Sequence, residues 1–257
     1  MLKTVIITGI SGVLGSALGR FYLKDGWRVI GVGRKETADG DFYSEYFRNS
    51  QKSSEDAQKL LLHNPDLIIL NAGQIETEIG EKGEPIIDQF ESITNINYTF
   101  PAIFCMTANK HELKNNLDIV AIGSIADGSP SSFGPVYHAS KIALHYFFSG
   151  AGPIIRNSNP KIRMRLYRPG AIKGPLAWAP VNRLNQRGYN LRKKRVDGAP
   201  VADKVAIHIA RFIKRKALIG TYDEPFSFRL LKLLFALFPN AYYKLQMLGW
   251  KKGSKFS

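Results

Sequence analysis

The chain contains few of the residues from which crosslinks and metal sites are built. Cys105 is the single cysteine among 257 residues, so no disulfide can form within the chain. Its neighbours are mostly apolar, and we expect a core residue rather than a nucleophile. His138 and His145 lack partners at metal-ligand spacing, so no metal is predicted. No signal-peptide pattern follows Met1, which favours a reducing, cytoplasmic setting.

Acidic residues are also scarce. Lysine and arginine number 36 against 21 aspartates and glutamates, which gives a formal net charge of +15. Such a charge favours phosphates, nucleic acid or an acidic membrane surface as partners. No nucleic-acid-binding motif accompanies it, and the cations are concentrated towards the C-terminal third rather than along one helix. Nucleic acid is therefore an unlikely partner.

No internal repeat or low-complexity tract divides the chain, and its length suits one main domain. A strand over residues 4–8, a turn, a helix over residues 13–24 and a second strand over residues 27–32 are predicted at the start of the chain. Apolar runs that favour buried strands recur at residues 67–70, 119–122 and 162–167. Segments of helical length lie around residues 53–63, 85–112, 136–150 and 201–216. This alternation predicts an α/β fold with a doubly wound parallel sheet.

A glycine-rich turn separates the first strand from the first helix. It reads Thr8, Gly9, Ile10, Ser11, Gly12, Val13, Leu14 and Gly15. In this context glycines let backbone amides approach a pyrophosphate at the helix N-terminus. We therefore predict cofactor contacts from every residue of the turn except Ile10. The spacing departs from G-x-G-x-x-G, and a turn that binds no ligand is the alternative.

The second strand ends in basic residues, Arg34 and Lys35. An acidic residue at this point suits a ribose 2′-hydroxyl, whereas a cation suits a 2′-phosphate. We therefore predict NADPH rather than NADH, with Arg34 as the main phosphate ligand and Lys35 as a second charge. Glu36 leaves dual specificity open, and two solvated surface cations are the alternative.

Tyr137 and Lys141 stand four residues apart in a helical segment, and Ser124 lies thirteen residues before the tyrosine. Residues at this spacing project from one helix face, so the ammonium can lower the proton affinity of the phenol. A tyrosine adjusted in this way can act as an acid near neutral pH.

At these motifs the chain resembles the short-chain dehydrogenase/reductase family, over roughly residues 3–220. Beside the glycine turn, further segments match that family in order and spacing. They are Asn71-Ala72-Gly73, Asn97, Ser124, Tyr137 with Lys141, and Pro169-Gly170. The resemblance implies a single Rossmann-fold catalytic domain over residues 1–225, followed by a tail over residues 226–257. It also implies a homo-oligomer, a dimer or a tetramer.

The resemblance also implies roles for these residues. Tyr137 would donate a proton to the developing alkoxide, with Ser124 hydrogen-bonded to the same oxygen and Asn97 holding a proton-relay water. Lys141 would bind the nicotinamide ribose and lower the tyrosine pKa, helped by the positive charge of oxidised nicotinamide. The reaction would be carbonyl reduction or its reverse.

The same resemblance assigns further cofactor contacts. They are Asn71, Ala72, Gly73, Tyr137, Lys141, Pro169, Gly170 and Ile172. Many family members carry a threonine that contacts the carboxamide just after the proline and glycine, whereas this chain continues Ala171-Ile172-Lys173. That departure weakens the predicted anchoring of the nicotinamide.

Two cationic segments lie beyond these motifs. Residues 174–200 are expected to be a loop-like substrate lid, with Arg183, Arg187, Arg192, Lys193, Lys194 and Arg195. These cations favour an anionic substrate, and a solvated cationic loop is the alternative. Residues 226–238, between Pro225 and Pro239, are predicted to form an amphipathic helix of about 20 Å, too short to cross a hydrocarbon core of about 30 Å.

Lysines and aromatic residues follow this helix, which is typical of peripheral attachment to the inner face of a membrane. Burial against a partner subunit is the alternative. The leading functional hypothesis is an NADPH-dependent short-chain reductase acting on a ketone or aldehyde, with an anionic, sugar-phosphate or lipid-linked substrate. A weakly active NADP-binding sensor or scaffold and a membrane-surface interaction protein are the other hypotheses.

Overall fold

The computed structural model describes residues 2–36, 40–50, 52–80, 84–186, 188, 197–215 and 217–253. The described strands are β1 Thr4–Thr8, β2 Arg28–Gly33, β3 Glu45–Arg48, β4 Leu67–Leu70, β5 Leu117–Ile122, β6 Ile162–Pro169 and β7 Ile219–Tyr222. They form one parallel sheet in the order β3-β2-β1-β4-β5-β6-β7. The order reverses between β1 and β4, so the connections wind in both directions and leave a crevice there.

Helices cover both faces of this sheet. They are α1 Val13–Lys24, α2 Ser53–Leu61, α3 Ile87–Thr94, α4 Phe100–Lys110, α5 Pro135–Ser158, α6 Pro175–Gln186, α7 Ala202–Lys214, α8 Phe226–Leu237 and α9 Pro239–Gly253. A π-helical turn, Asn95–Thr99, joins α3 to α4, and a 3₁₀ turn, Ile125–Gly128, follows β5.

The central strands are apolar throughout because both of their faces are buried. Ile6 of β1 packs in a cluster with α2, α4 and α5, whereas its neighbours Val5 and Ile7 pack on the opposite face with α1 and α7. Successive side chains of a strand point to opposite faces, so a strand covered on both sides requires an unbroken apolar run. The predicted doubly wound parallel sheet is confirmed.

The two edge strands were not predicted from the sequence. In β3 the four residues from Glu45 to Arg48 are partly exposed, and β7 contains exposed Ile219 and Thr221. Each strand has only one neighbour in the sheet. Short edge strands need no continuous apolar run, and this is why hydrophobic patterning missed them.

The segment after β6 differs from the expectation of a loop. Its first half is the helix α6, and Arg183 lies buried in that helix. The other predicted lid cations, Arg187, Arg192, Lys193, Lys194 and Arg195, lie outside the described residues. The predicted tail helix is α8, and a second helix, α9, follows Pro239.

Arg165 of β6 fixes the end of α7 although it lies inside the protein. Its side chain is fully buried and donates to four backbone carbonyls at or just after the C-terminus of α7. These acceptors are the carbonyls of Phe212, Ile213, Arg215 and Ala217, at 2.5 to 3.0 Å. The last carbonyls of a helix have no partners within the helix, so one guanidinium satisfies groups that would otherwise be buried unpaired.

We predict that Arg165→Met lowers the free energy of unfolding by about 3 kcal/mol, because the change removes the shared donor of four carbonyls, of which that of Phe212 is buried. Arg163, on the same strand, is the control: it is partly exposed and paired with Asp118. Its replacement by Met should cost about 1 kcal/mol or less. Denaturant unfolding checks both values, and equal losses in the two variants would contradict the capping role of Arg165.

Candidate active site

The turn after β1 is tight enough to require glycine at two positions. Gly9 has φ of +67°, and a Cβ there would lie 2.9 Å from the Cα of Ala72. A Cβ at Gly15 would lie 2.1 Å from the carbonyl oxygen of Gly9. The backbone amide of Gly9 donates to the carbonyl of Val32 at 2.8 Å, which ties the turn to the end of β2. Glycine is thus needed for the left-handed conformation and for close approach.

The N-terminus of α1 is open to an anion. Gly12 is its N-cap and supplies no side-chain cap, and no acidic residue lies in the first turn. The first amides of a helix lack partners within the helix and carry partial positive charge. A glycine-lined helix start of this kind fits a pyrophosphate.

A cleft of about 920 Å³ runs from this turn across the carboxyl ends of the central strands. Most of the predicted cofactor-binding residues line it. They are Thr8, Gly9, Ser11, Gly12, Val13, Leu14, Arg34, Asn71, Ala72, Gly73, Tyr137, Lys141, Pro169, Gly170 and Ile172. The exceptions are Gly15, which packs behind the turn, and Lys35. The volume and the lining suit an extended dinucleotide better than a small ligand alone.

The end of the cleft beside β2 carries one of the two predicted cations. Arg34 is exposed and lines the cleft. Lys35 does not line it, and its carbonyl accepts a hydrogen bond from the Tyr46 hydroxyl at 3.0 Å. Glu36 forms an ion pair with Arg48. Glu36, the acidic residue that left dual specificity open, is therefore paired with Arg48, whereas Arg34 lines the cleft.

Asn71 connects the glycine turn to the end of β4. Its side-chain amide donates to the carbonyls of Thr8 and Gly9, at 3.0 and 3.4 Å. The backbone amide of Ala72 donates to the Thr8 hydroxyl at 2.9 Å. These bonds join β1 and β4 at the point where the strand order reverses, and they hold the floor of the cleft in place.

Ser124, Tyr137 and Lys141 meet at the far end of the same cleft. The Lys141 ammonium lies 5.7 Å from the centre of the Tyr137 ring and donates to the carbonyl of Ile122 at 2.9 Å. The Ser124 hydroxyl accepts from the amide of Ala126 at 3.1 Å, and its interaction with the Tyr137 phenol lowers the pKa of that phenol. A hydroxyl and a phenol in contact can bind one carbonyl oxygen together and supply its proton.

Burial raises the pKa of Tyr137. The hydrogen bond from Ser124 lowers it, and the charges of Asp127 and Glu76 raise it further. Burial also lowers the pKa of Lys141 to about 8. The expectation that Lys141, together with oxidised nicotinamide, lowers the phenol pKa stays a prediction. The phenol is protonated at neutral pH, which is the form that can donate a proton.

Asn97 is buried but does not face the cleft. Its Oδ1 accepts from the amide of Gln74 at 2.9 Å, and its Nδ2 donates to the Gln74 carbonyl and the Ser140 hydroxyl, both at 2.9 Å. These contacts use the side chain to join the loop after β4 to α5. The side chain of Asn97 thus has a positioning role, and its predicted part in holding a proton-relay water stays a prediction.

The segment after β6 closes the nicotinamide end of the predicted site. The amide of Gly170 donates to the carbonyl of Tyr222 at 2.8 Å, and a Cβ at Gly170 would lie 2.5 Å from the carbonyl oxygen of Asp223. Ile172 lines the cleft and also packs against the apolar core. The chain passes close to β7 here and leaves room for glycine only.

Sequence reasoning missed part of the cleft wall. Ile125, Ala126, Leu176 and Ala177 line it near the catalytic group, together with Phe228 from α8. No local motif marks Phe228, which reaches the cleft only through the packing of α8. Arg183 turns away from the cleft, since its guanidinium donates to the backbone carbonyls of Glu76 and Phe133.

A buried ion cluster connects α8 to the turn after Ser124. Asp127 is paired with Arg168 at 2.5 Å and with Lys232 of α8 at 3.5 Å, and Lys232 also contacts Glu224 at 2.6 Å. Burial alone would raise the pKa of Asp127, but hydrogen bonds from His145 and Arg168 lower it. Asp127 therefore stays ionised and holds α8 beside the catalytic group.

Cys105 is fully buried in the core, as predicted. Burial raises its thiol pKa, so the nucleophilic thiolate is disfavoured. Within the described part of the chain, no group of three or more His, Cys, Asp or Glu residues could hold a metal ion.

A model of the short chain dehydrogenase family matches residues 3–183. The chain belongs to this family. Membership in the short-chain dehydrogenases places it among NAD(P)-dependent oxidoreductases, in agreement with the cleft, the glycine turn and the Ser124, Tyr137 and Lys141 group.

Similar proteins extend this result. An 11-beta-hydroxysteroid dehydrogenase-like 2 protein of Arabidopsis thaliana is 29% identical over 188 residues, which are 66% of this chain and 59% of that protein. This short-chain dehydrogenase thus aligns with less than two thirds of the relative's length.

Solved structures share the fold. A short-chain dehydrogenase of Burkholderia cenocepacia in complex with NADP has a TM-score of 0.71 and 14% identity, over 95% of this chain and 97% of the other. The 3-oxoacyl-[acyl-carrier protein] reductase of Brucella melitensis in complex with NAD has a TM-score of 0.69 and 17% identity, over 86% and 95%.

We predict that Tyr137→Phe keeps cofactor affinity within about twofold and lowers kcat by about 10² to 10⁴, the usual contribution of a general acid. NADPH oxidation in the presence of a ketone measures turnover, and fluorescence titration measures binding. Tyr146, exposed on the same helix, provides the control variant Tyr146→Phe. Turnover near the wild-type level in Tyr137→Phe would refute the assignment.

Proposed function

We propose that this short-chain dehydrogenase is an NADPH-dependent reductase that interconverts a ketone and an alcohol. The observation that carries the proposal is one continuous cleft with the glycine turn and Arg34 at one end and Ser124, Tyr137 and Lys141 at the other. A scaffold protein that only binds the cofactor would not need a serine and a tyrosine in hydrogen-bond contact at this end.

The residues of the chain have distinct roles in this reaction. The nicotinamide cofactor, when bound, supplies or accepts the hydride. Tyr137 gives its phenolic proton to the substrate oxygen in reduction and takes it back in oxidation. Ser124 donates a hydrogen bond to the same oxygen as negative charge develops there.

Lys141 donates one hydrogen bond to the Ile122 carbonyl and has further N–H donors for a ribose hydroxyl. Its positive charge would stabilise the phenolate. Ile125 and Phe228 keep this end of the cleft apolar. An apolar wall limits the access of water and strengthens the electrostatic interactions at the reacting oxygen.

The preference for NADPH rests on Arg34. A guanidinium presents several donors to a phosphate in a planar fork, and Arg34 is the residue at the end of β2 that lines the cleft. Similar structures contain NADP in one case and NAD in another, so the family alone does not select between the two.

We predict that Arg34→Ala weakens NADPH binding about tenfold, because a charged hydrogen bond to the 2′-phosphate is lost. NADH binding should change by less than about twofold. Lys35→Ala is the matched control, since Lys35 lies next to Arg34 but does not line the cleft. Thermal-shift and fluorescence titrations with both cofactors measure these effects. Tighter binding of NADH than of NADPH by the wild type would contradict the proposal.

We propose a substrate whose carbonyl carries an apolar body, of the lipid-linked class. Ile125, Leu176 and Phe228 contribute aliphatic and aromatic side chains to the described wall of the cleft. The prediction of an anionic or sugar-phosphate substrate was based on the cations of residues 174–200. Of these, Arg183 is bonded away from the cleft, and the others lie outside the described residues. Lys173 is the cation of the adjoining segment that lines the cleft.

The tail helices present an apolar surface to the outside. On α8 four exposed apolar residues, Phe226, Leu230, Leu233 and Leu237, fall on one stripe at helical spacing, whereas exposed Phe235 lies off it. On α9 the exposed group is Tyr243, Leu245, Met247 and Leu248. The inward faces carry the specific contacts, such as Lys232 with Asp127, and the Tyr242 hydroxyl with the Pro130 carbonyl at 2.5 Å.

The apolar residues of these helices face outward and their polar contacts face inward, which is the reverse of what is expected for a helix that only covers a core. This orientation favours contact with a lipid surface. Residues 226–257 contain no aspartate or glutamate and six lysines or arginines. Two of these cations, Arg229 and Lys232, are paired with acidic residues outside the tail, Glu224 and Asp127. An apolar stripe on a basic segment is typical of attachment to anionic lipid. We therefore propose peripheral membrane binding through α8 and α9. In the described part of the chain, no helix is both long and apolar enough to span a membrane.

We predict that the protein floats with vesicles of phosphatidylcholine and phosphatidylglycerol, and much less with phosphatidylcholine alone. Replacing Leu230 and Leu233 with Gln should lower vesicle binding about tenfold, because two exposed apolar side chains are lost from the interface. Ile87→Gln, which alters an exposed isoleucine of α3, is the control.

A homo-oligomer that buries α8 and α9 is the competing arrangement. In that case the Leu230 and Leu233 double variant would sediment with a lower molecular mass than the wild type. The wild type would also fail to bind vesicles. That outcome, or vesicle binding unaffected by the double variant, would overturn the membrane proposal.

A further inference from the structure

The loop after β4 buries a carboxylate at the start of the catalytic helix. Glu76 is 3% exposed and lies two residues beyond Gln74, whose backbone is held by Asn97. Asn97 also bonds Ser140 of α5. The loop is therefore fixed against the helix that carries Tyr137 and Lys141.

Glu76 caps that helix from a distant part of the sequence. Its Oε1 accepts from the backbone amides of Val136 at 2.8 Å and Tyr137 at 3.2 Å. The helix α5 has no cap of its own, because Gly134 at the N-cap supplies no side chain and the first turn contains no acidic residue. A carboxylate at this position satisfies the unpaired amides and is favoured by the helix dipole.

A second helix holds Glu76 from the other side. The Arg183 guanidinium of α6 donates to the backbone carbonyls of Glu76 and Phe133. The second carboxylate oxygen, Oε2, has no hydrogen-bond partner among the described residues. In contrast, Asp127 is paired directly with Arg168. The charge of Arg183 interacts with Glu76, but its hydrogen bond goes to the backbone carbonyl rather than to the carboxylate.

We propose that Glu76 is a positioning residue that fixes the first turn of α5, and with it Tyr137, through its hydrogen bonds to the backbone amides of Val136 and Tyr137. The inference rests on the proposed role of Tyr137 as the proton donor. Glu76 would also connect α6 to the start of the catalytic helix α5, because it bonds both Arg183 and the first amides of α5.

Charged and polar groups from several elements act on Tyr137. Ser124 at the end of β5 donates to the phenol and lowers its pKa, whereas Asp127 of the 3₁₀ turn and Glu76 of the loop raise it. On α5 itself, Lys141 lies 5.7 Å from the ring centre, and the His138 ring nitrogen lies 2.8 Å from the Ser129 carbonyl. Removal of the Glu76 charge should therefore shift the titration of Tyr137 towards lower pH.

A pair of variants separates the hydrogen bonds from the charge. Glu76→Gln keeps an acceptor oxygen but removes the charge, and Glu76→Ala removes both. Glu78→Gln is the matched control, because Glu78 is exposed two residues further along the same loop. Carbon-13 NMR of protein labelled at tyrosine Cζ reads the ionisation of Tyr137 without any substrate, and Tyr137→Phe assigns the resonance.

We expect Glu76→Gln to lower the apparent pKa of Tyr137 by about 0.5 unit, with and without NADP⁺, and to retain most of kcat. Glu76→Ala should show the same shift and a loss of kcat of about tenfold, because the tyrosine is no longer fixed in place. NADPH affinity should stay within about twofold in both variants.

The proposal is overturned if Glu76→Gln titrates like Glu78→Gln, or if Glu76→Ala folds and keeps wild-type kcat. If Glu76→Ala fails to fold, the NMR comparison of the two Gln variants still decides the role of the charge. Failure of the proposed reaction has a different signature, since Tyr137→Phe would then leave turnover intact while the NMR shift in Glu76→Gln is still measured.

Discussion

The hydrogen bonds of Asn71 are the contact on which the rest of the site depends. They join the ends of β1 and β4, the two central strands between which the chain changes its winding direction. A doubly wound sheet has its crevice at this point, because the connections on either side lead away from each other. With β1 and β4 held in register, the glycine turn stands on one side of the crevice and the loop that carries Glu76 stands on the other.

The sequence predicted the part of this arrangement that is encoded locally. Strands buried on both faces give unbroken apolar runs, and glycines that cannot carry a Cβ give a recognisable spacing, so β1, β4, β5 and the turn were all found. The pair formed by Tyr137 and Lys141 is likewise set by one turn of helix. Such features survive in a linear pattern because the residues concerned are neighbours in sequence as well as in space.

The remainder depends on contacts between distant segments, which no local pattern reveals. Glu76 meets the amide of Val136 across 60 residues, and Phe228 reaches the cleft only because Lys232 is bound to Asp127. The proton affinity of Tyr137 depends on distant segments in the same way. Spacing on a helix identifies the nearby ammonium, but the extent of burial, which dominates, becomes known only from the packed structure.

The ion cluster around Asp127 makes the wall of the cleft depend on residues that lie far apart in the chain. Asp127 follows β5, whereas Lys232 and Phe228 belong to α8. The wall formed by Phe228 is present only when α8 is docked. A domain generally folds as a unit, so the C-terminal helix belongs to the same folding unit as the glycine turn. A chain that ends before α8 would therefore have a cleft that lacks one wall.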